Sequence, residues 1–124
     1  MGDKIVTFTD LNAWKEGHKL VLMIYRITNS FPNREIYALI DQLRRGVVSV
    51  TSNLAEGFSR RGVKEKIQFY SMALGSLTEL QNQIIVAKDV GYLKEKENSI
   101  IEIQTVIVHK LINGLIKGIK SRNT

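Results

Sequence analysis

The sequence predicts an all-α protein, an antiparallel up-down-up-down four-helix bundle. Apolar residues recur at three- and four-residue steps through four separate segments. One proline in 124 residues leaves those segments uninterrupted. The links between them are short and polar, as antiparallel neighbours require.

The first helix spans about 11–29, after a short extended start at Ile5–Thr9. Asp10 is placed to cap it. Leu11, Trp14, His18, Val21, Ile24 and Thr28 share one face, with Lys15, Glu16, Lys19 and Arg26 mostly outside. Asn29–Asn33 stops it, because Pro32 disfavours the helical region for Phe31. The second helix, about 34–60, has Asn33 as its cap and Glu35 near its positive end. Ile36, Ile40, Leu43, Val47, Val50, Leu54 and Phe58 keep helical spacing although Val47, Val48, Val50 and Thr51 are β-branched. Packing must therefore override propensity, and this helix is expected to be buried on more than one side. Gly62 ends it. The third helix, about 64–90, turns Ile67, Tyr70, Leu74, Leu77, Ile84 and Ala87 to one side and is closed by Gly91. The fourth, about 99–119, follows the polar link Tyr92–Asn98.

The fourth helix carries more apolar residues than one stripe needs. Its densest sector holds Ile100, Ile107, Leu111, Leu115, Val108, Ile101, Ile119 and Ile112. Ile103, Val106 and Ile116 fall outside that sector, which assigns them to an oligomer interface. The alternative is that they are single apolar side chains left on the surface.

Length suits one domain over residues 1–124. Hydrophobic residues make up 44% and charged residues 24%, the balance of a soluble globular chain. Cysteine is absent, so disulfides and thiolate chemistry are excluded, which fits a cytoplasmic protein. The N-terminal MGDKIVTFTDLN has no apolar run of signal-peptide length, and no segment reads as the ~20 apolar residues of a membrane span. Residues 1–62 and 63–124 each hold nine Lys/Arg and six Asp/Glu, for a net charge of +6, so neither half is a basic tail. Such a charge favours polyanionic partners. Lys110 to Thr124 is an acid-free basic stretch, with Lys110, Lys117, Lys120 and Arg122.

Nothing in the motifs points to catalysis. His18 and His109 lie in different helices, and neither an H-E-x-x-H pair, a phosphate loop nor a G-x-S-x-G elbow is present. No enzyme activity, metal or cofactor is expected. His18 reads as a core or boundary residue.

Two arginine pairs, Arg44-Arg45 and Arg60-Arg61, bracket a segment of small and β-branched residues. Asp41 with Arg45 and Glu56 with Arg60 are spaced four apart on one helix, the geometry of local ion pairs. Arg44 sits at the edge of the apolar stripe, with Glu79 on the third helix as its candidate partner. Arg60, Arg61, Lys64 and Lys66 form a basic cluster around one helix end, a pattern suited to phosphate; Lys117 and Lys120 in the acid-free stretch join them as candidates. Ala38, Gly46, Ser49, Asn53 and Gly57 on the second helix, and Ala73, Gly75 and Ser76 on the third, would each let a neighbouring helix approach closely. The aromatic residues Trp14, Tyr25, Tyr37, Phe58, Phe69 and Tyr70 all fit helix faces, so no exposed stacking platform for bases is expected.

Phe31-Pro32, Glu35-Ile-Tyr37, Gln42-Leu-Arg-Arg45, Asn53-Leu-Ala-Glu-Gly57, Gly75-Ser-Leu77 with Glu79-Leu80, and Gly91-Tyr92 together resemble the bacterial four-helix-bundle proteins of 23S rRNA intervening sequences, the "S23 ribosomal protein" family. The resemblance runs from about Phe8 to Leu115. Gly46 stands where that family usually has alanine, and Gly17 also departs from its pattern. The resemblance implies a homopentameric barrel. It extends to the accessory variability determinant of diversity-generating retroelements, a basic pentamer that binds nucleic acid and a reverse transcriptase. It supplies no catalytic residues. Two functions are then expected to compete: binding of RNA or DNA backbone through Lys/Arg side chains, or a protein-interaction adaptor, for example to a reverse transcriptase.

Overall fold

Four amphipathic helices can hide their apolar stripes only against one another. In a computed structural model describing residues 4–122, they do so as α1 (Asn12–Thr28), α2 (Leu39–Ser59), α3 (Val63–Asp89) and α4 (Glu95–Arg122). Each helix packs on its sequence neighbours, α4 closes back on α1, and α2 against α3 is the most extensive pair. Cross-helix bonds fix the antiparallel register: Arg44 to Thr28, Ser49 to Ser76 at 2.8 Å, Gln81 to Thr105 at 3.2 Å and Gln104 to the Glu16 carbonyl at 2.8 Å. The start of α1, the α2–α3 turn and the end of α4 therefore share one end of the bundle.

Leu20, Ile24, Leu43, Leu54, Leu77 and Ile112 are fully buried at the centre. Each side chain of this size stabilises the fold by roughly 1.5–3 kcal/mol relative to exposure. Glycine and serine set the close approaches. A Cβ on Gly17 would lie 3.1 Å from Thr51 Cγ2, and one on Gly46 3.4 Å from Gln83 Oε1. Gly75 meets nothing within 4 Å and Ala38 is exposed, so neither serves the contact expected of it.

The start of the chain differs from the sequence expectation. Asp10 does not cap α1; it closes a 3-10 turn at Phe8–Asp10, where its Oδ2 accepts from the Val6 and Thr7 amides at 2.9 and 3.0 Å. Those bonds hold its carboxyl below the usual carboxylate range. The buried face of α1 is centred on Ala13, Gly17, Leu20 and Ile24, and His18 is exposed. Gly17 explains the rotation: α1 approaches α2 where it has no side chain, a position that apolar periodicity does not score.

The second helix begins at Leu39 rather than near residue 34. Asn33–Glu35 forms a separate 3-10 turn, and Ala38 breaks the path with φ −126° and ψ −105°. Ile36 continues the spacing only by coincidence. Tyr37, expected in the core, is 95% exposed, and Tyr25 is exposed as well.

Gly91, at φ +88°, ends α3. The Tyr92 amide reaches the Ala87 carbonyl at 2.9 Å and the Gly91 amide reaches Lys88 at 3.0 Å, a Schellman ending that only glycine adopts without strain.

The last helix runs past both expected ends, from Glu95 to Arg122. Its buried stripe is Ile101, Val108, Ile112, Ile116 and Ile119, together with Asn98, Gln104 and Thr105. Ile116, expected at the oligomer interface, is 8% exposed and belongs to the core; Ile103 and Val106 are 62% and 46% exposed. Apolar density misplaces the stripe because three polar residues lie inside it. By length and composition α4 could cross a membrane, with mean hydropathy 1.3 over its most apolar window, yet its inner face is part of the bundle.

Candidate nucleic-acid interface at one end of the bundle

The α2–α3 connection is short, and closing it consumes two of its four cations. Arg60 pairs with Glu56 at 3.0 Å and lays its guanidinium 4.8 Å over the Phe69 ring. Its Nε is buried without a partner. Lys66 turns inward, donating from Nζ to the Phe58 carbonyl at 2.7 Å and to Gly57 at 3.2 Å. The Phe58 carbonyl is among those a helix end leaves without an intrahelical donor, while the Gly57 carbonyl also accepts the Arg60 amide at 3.3 Å. Desolvation there pushes the Lys66 ammonium below the usual lysine value. Lys66 therefore caps α2 rather than facing a ligand. Lys66→Met is expected to destabilise the fold by about 1 kcal/mol, read by chemical denaturation, while leaving the salt dependence of any nucleic-acid binding unchanged.

Arg61 and Lys64 project outward and make no ion pair among the described residues. The Gln81–Thr105 register brings Lys117 and Lys120 level with the first two turns of α3, and Arg122 extends beyond them. All three are exposed, and no acid follows Glu102 in the chain. The acids at this end are Glu56, already paired, Asp10, whose carboxylate accepts two backbone amides, and the exposed Glu65. Antiparallel topology thus joins two basic segments that lie far apart in sequence. Arg122 is a member of this group that sequence reasoning misses; its place in the acid-free stretch is the available signal.

A second group at this end also escapes the sequence reading. Phe8 meets Trp14 edge-on with centroids 5.5 Å apart, and Trp14 stacks on His18 at 4.8 Å with the planes 9° apart. His18 is exposed, so an aromatic ladder does reach solvent on α1. The signal lies in the four-residue spacing of Trp14 and His18.

The other arginine pair lies towards the opposite end. Arg45 pairs with Asp41 at 3.0 Å. Arg44 does not reach Glu79. Its Nε donates to Thr28 Oγ1 at 2.9 Å, one terminal nitrogen donates to Asn29 Oδ1 at 3.1 Å, and the guanidinium lies 4.8 Å over the Tyr25 ring. Arg44 faces α1, whereas Glu79 is exposed on α3 and makes no ion pair among the described residues. No cluster of three or more His, Asp or Glu suited to a metal occurs among the described residues.

The comparisons give one family and one fold. A family described as "23S rRNA-intervening sequence protein" matches residues 9–114. The crystal structure of a protein of unknown function from the S23 ribosomal protein family of Bacteroides thetaiotaomicron superposes with a TM-score of 0.78, covering 85% of this chain and 95% of that one at 15% identity. At that identity the likeness is one of fold. No curated protein matches the sequence. With most of its length matched by the family and its four helices arranged as in that crystal structure, the chain belongs to the 23S rRNA-intervening sequence proteins.

Proposed function

We propose that the protein is a non-enzymatic homo-oligomer, a pentamer, that binds the phosphate backbone of RNA or DNA through the basic end of its bundle. One observation carries the reading: Arg61, Lys64, Lys117, Lys120 and Arg122 emerge exposed at the same end, where the acids not in an ion pair are Glu65 and Asp10, the latter engaged by backbone amides. Lysine and arginine in this arrangement attract a polyanion and release its condensed counterions, without reading sequence.

Light scattering followed by electrophoretic shift with RNA and with DNA at two salt concentrations tests it. Binding at low salt is expected to weaken steeply as salt rises, with log K falling by about 0.9 per phosphate neutralised for each unit of log salt on a duplex. Binding that is absent at low salt, or indifferent to salt, overturns the proposal. An adaptor function is favoured instead by the exposed Ile103 and Val106 if they meet another protein. A partner that remains bound after nuclease treatment, with no shift of either nucleic acid, would select that reading.

A further inference from the structure

The aromatic ladder of α1 stands beside the basic end. A Cβ on Gly17 would lie 3.1 Å from Thr51 and 3.9 Å from Leu54, and Arg44 bonds Thr28, so α1 and α2 run antiparallel in a fixed register. In that register His18 is about level with Ser52, and Trp14 is one turn nearer the basic end. The Phe8–Asp10 turn packs on α2, and the same register puts it near the end that leads to Arg61.

The ladder ends in water. Phe8 and Trp14 are half-buried, whereas His18 is exposed, and among the described residues no further ring packs on it. Tyr25, seven residues beyond His18, lies on the same side of α1 and is exposed. A groove of about 500 Å³ continues from Ser52, beside His18, past Tyr25 to Arg44 and Arg45.

Cations close both ends of this row. Arg61 stands at the basic end. At the other, Arg44 is half-buried, donates to the neutral oxygens of Thr28 and Asn29, and lies 4.8 Å over the Tyr25 ring. The acids of the 3-10 turn, α1 and α2 are Asp10, Glu16, Asp41 and Glu56. Each already has partners: backbone amides for Asp10, Lys19 and Gln104 for Glu16, Arg45 for Asp41 and Arg60 for Glu56. An aromatic row flanked by cations, with no acid left unengaged, suits a strand whose bases are free to stack.

We infer that the α1–α2 flank binds a single strand of RNA or DNA, with a base stacked on His18 and the backbone carried between Arg61 and Arg44. This rests on the phosphate-binding end proposed above and adds which form of nucleic acid it takes. From Arg44 to Ser59 α2 rises about 23 Å, room for several nucleotides. In a duplex each base is paired and stacked within the helix, so its face cannot reach His18. Phosphate contacts alone do not separate paired from unpaired strands. Stacking does, and without sequence preference, because every base has a π-face.

Trp14, the one tryptophan of the chain, reports contact with the ladder. Its emission is followed while the full chain is titrated with single-stranded RNA, single-stranded DNA and a blunt duplex, each about 12 nucleotides long, and with inorganic polyphosphate, which has phosphates and no bases. Single strands are expected to change the emission. Duplex and polyphosphate should bind in a salt-dependent way and leave it nearly unchanged. His18→Ala should weaken single-strand binding about tenfold, the effect of one stacked base, without altering duplex or polyphosphate affinity, and His18→Phe should restore it. Because His18 is exposed, both variants should keep the parent helical circular dichroism. Single-strand affinity that His18→Ala leaves intact, or an emission change that polyphosphate reproduces, overturns the stacking alone. Failure of every probe to bind at low salt overturns the basic end and the stacking with it.

Discussion

Arg61→Glu combined with Lys64→Glu is expected to weaken binding of a short RNA or DNA duplex about 10²-fold near 0.1 M salt, roughly tenfold for each phosphate no longer neutralised. The slope of log K against log salt should flatten by about two for each protomer engaged, since each neutralised phosphate contributes about 0.9. Both side chains are exposed and free of ion pairs among the described residues, so reversing them disturbs no packing. The control is Lys88→Glu with Lys96→Glu, which alters net charge equally but at the other end of the bundle. If charge location matters, the control keeps nearly the parent slope. If both variants lose affinity equally, the partner senses only the overall charge of +6 and the basic end has no special part.

The second large effect is on stability. A Cβ on Gly57 would lie 2.6 and 2.8 Å from Cε1 and Cδ1 of Tyr70 and 3.1 Å from Phe69 Cβ. Tyr70 is 2% exposed and its ring cannot swing aside, so α3 itself must shift. Overpacking of this kind costs about 1–3 kcal/mol. Alanine returns up to ~1 kcal/mol through helix propensity, less at a helix end. Gly57→Ala should therefore lower stability by about 1–2 kcal/mol, several degrees in Tm for a chain of this length. Gly75→Ala should act in the opposite sense, because its added methyl meets nothing within 4 Å and the helix gains up to ~1 kcal/mol. Thermal melts of the two variants read the contrast directly. Gly57→Ala at or above the parent Tm would mean that the α2–α3 contact is looser than the geometry implies.

Helix number and antiparallel order are legible in the sequence because apolar spacing and short links act locally along the chain. The expected α3 agrees with the observed one to within one residue at each end, since Gly62 and Gly91 punctuate it without ambiguity. Faces are harder to read. Gly17 carries no hydrophobic signal yet marks the closest approach of α1 to α2, and Gln104 and Thr105 are buried because Glu16 and Gln81 satisfy them from other helices. Those partners lie 88 and 24 residues away. Spacing within one helix does not register such distances, so it turns Ile116 outward and His18 inward. At the basic end the residue types are visible in the sequence and their separate roles are not. Arg60 and Lys66 look like Arg61 and Lys64 in sequence, and only the turn's geometry separates the pair that closes the structure from the pair that faces water.

The close α2–α3 approach bears on the order in which the bundle assembles. Its two helices share the shortest connection and the most extensive packing, so joining them restricts the fewest intervening residues. Docking α4 onto α1 must instead wait until most of the chain is in place. We expect the α2–α3 hairpin to form first and to exchange its amide hydrogens last, with α1 and α4 opening around it. Arg61 and Lys64 ride on the tip of that hairpin, so the charged turn would hold its shape through partial openings that undo the rest of the bundle.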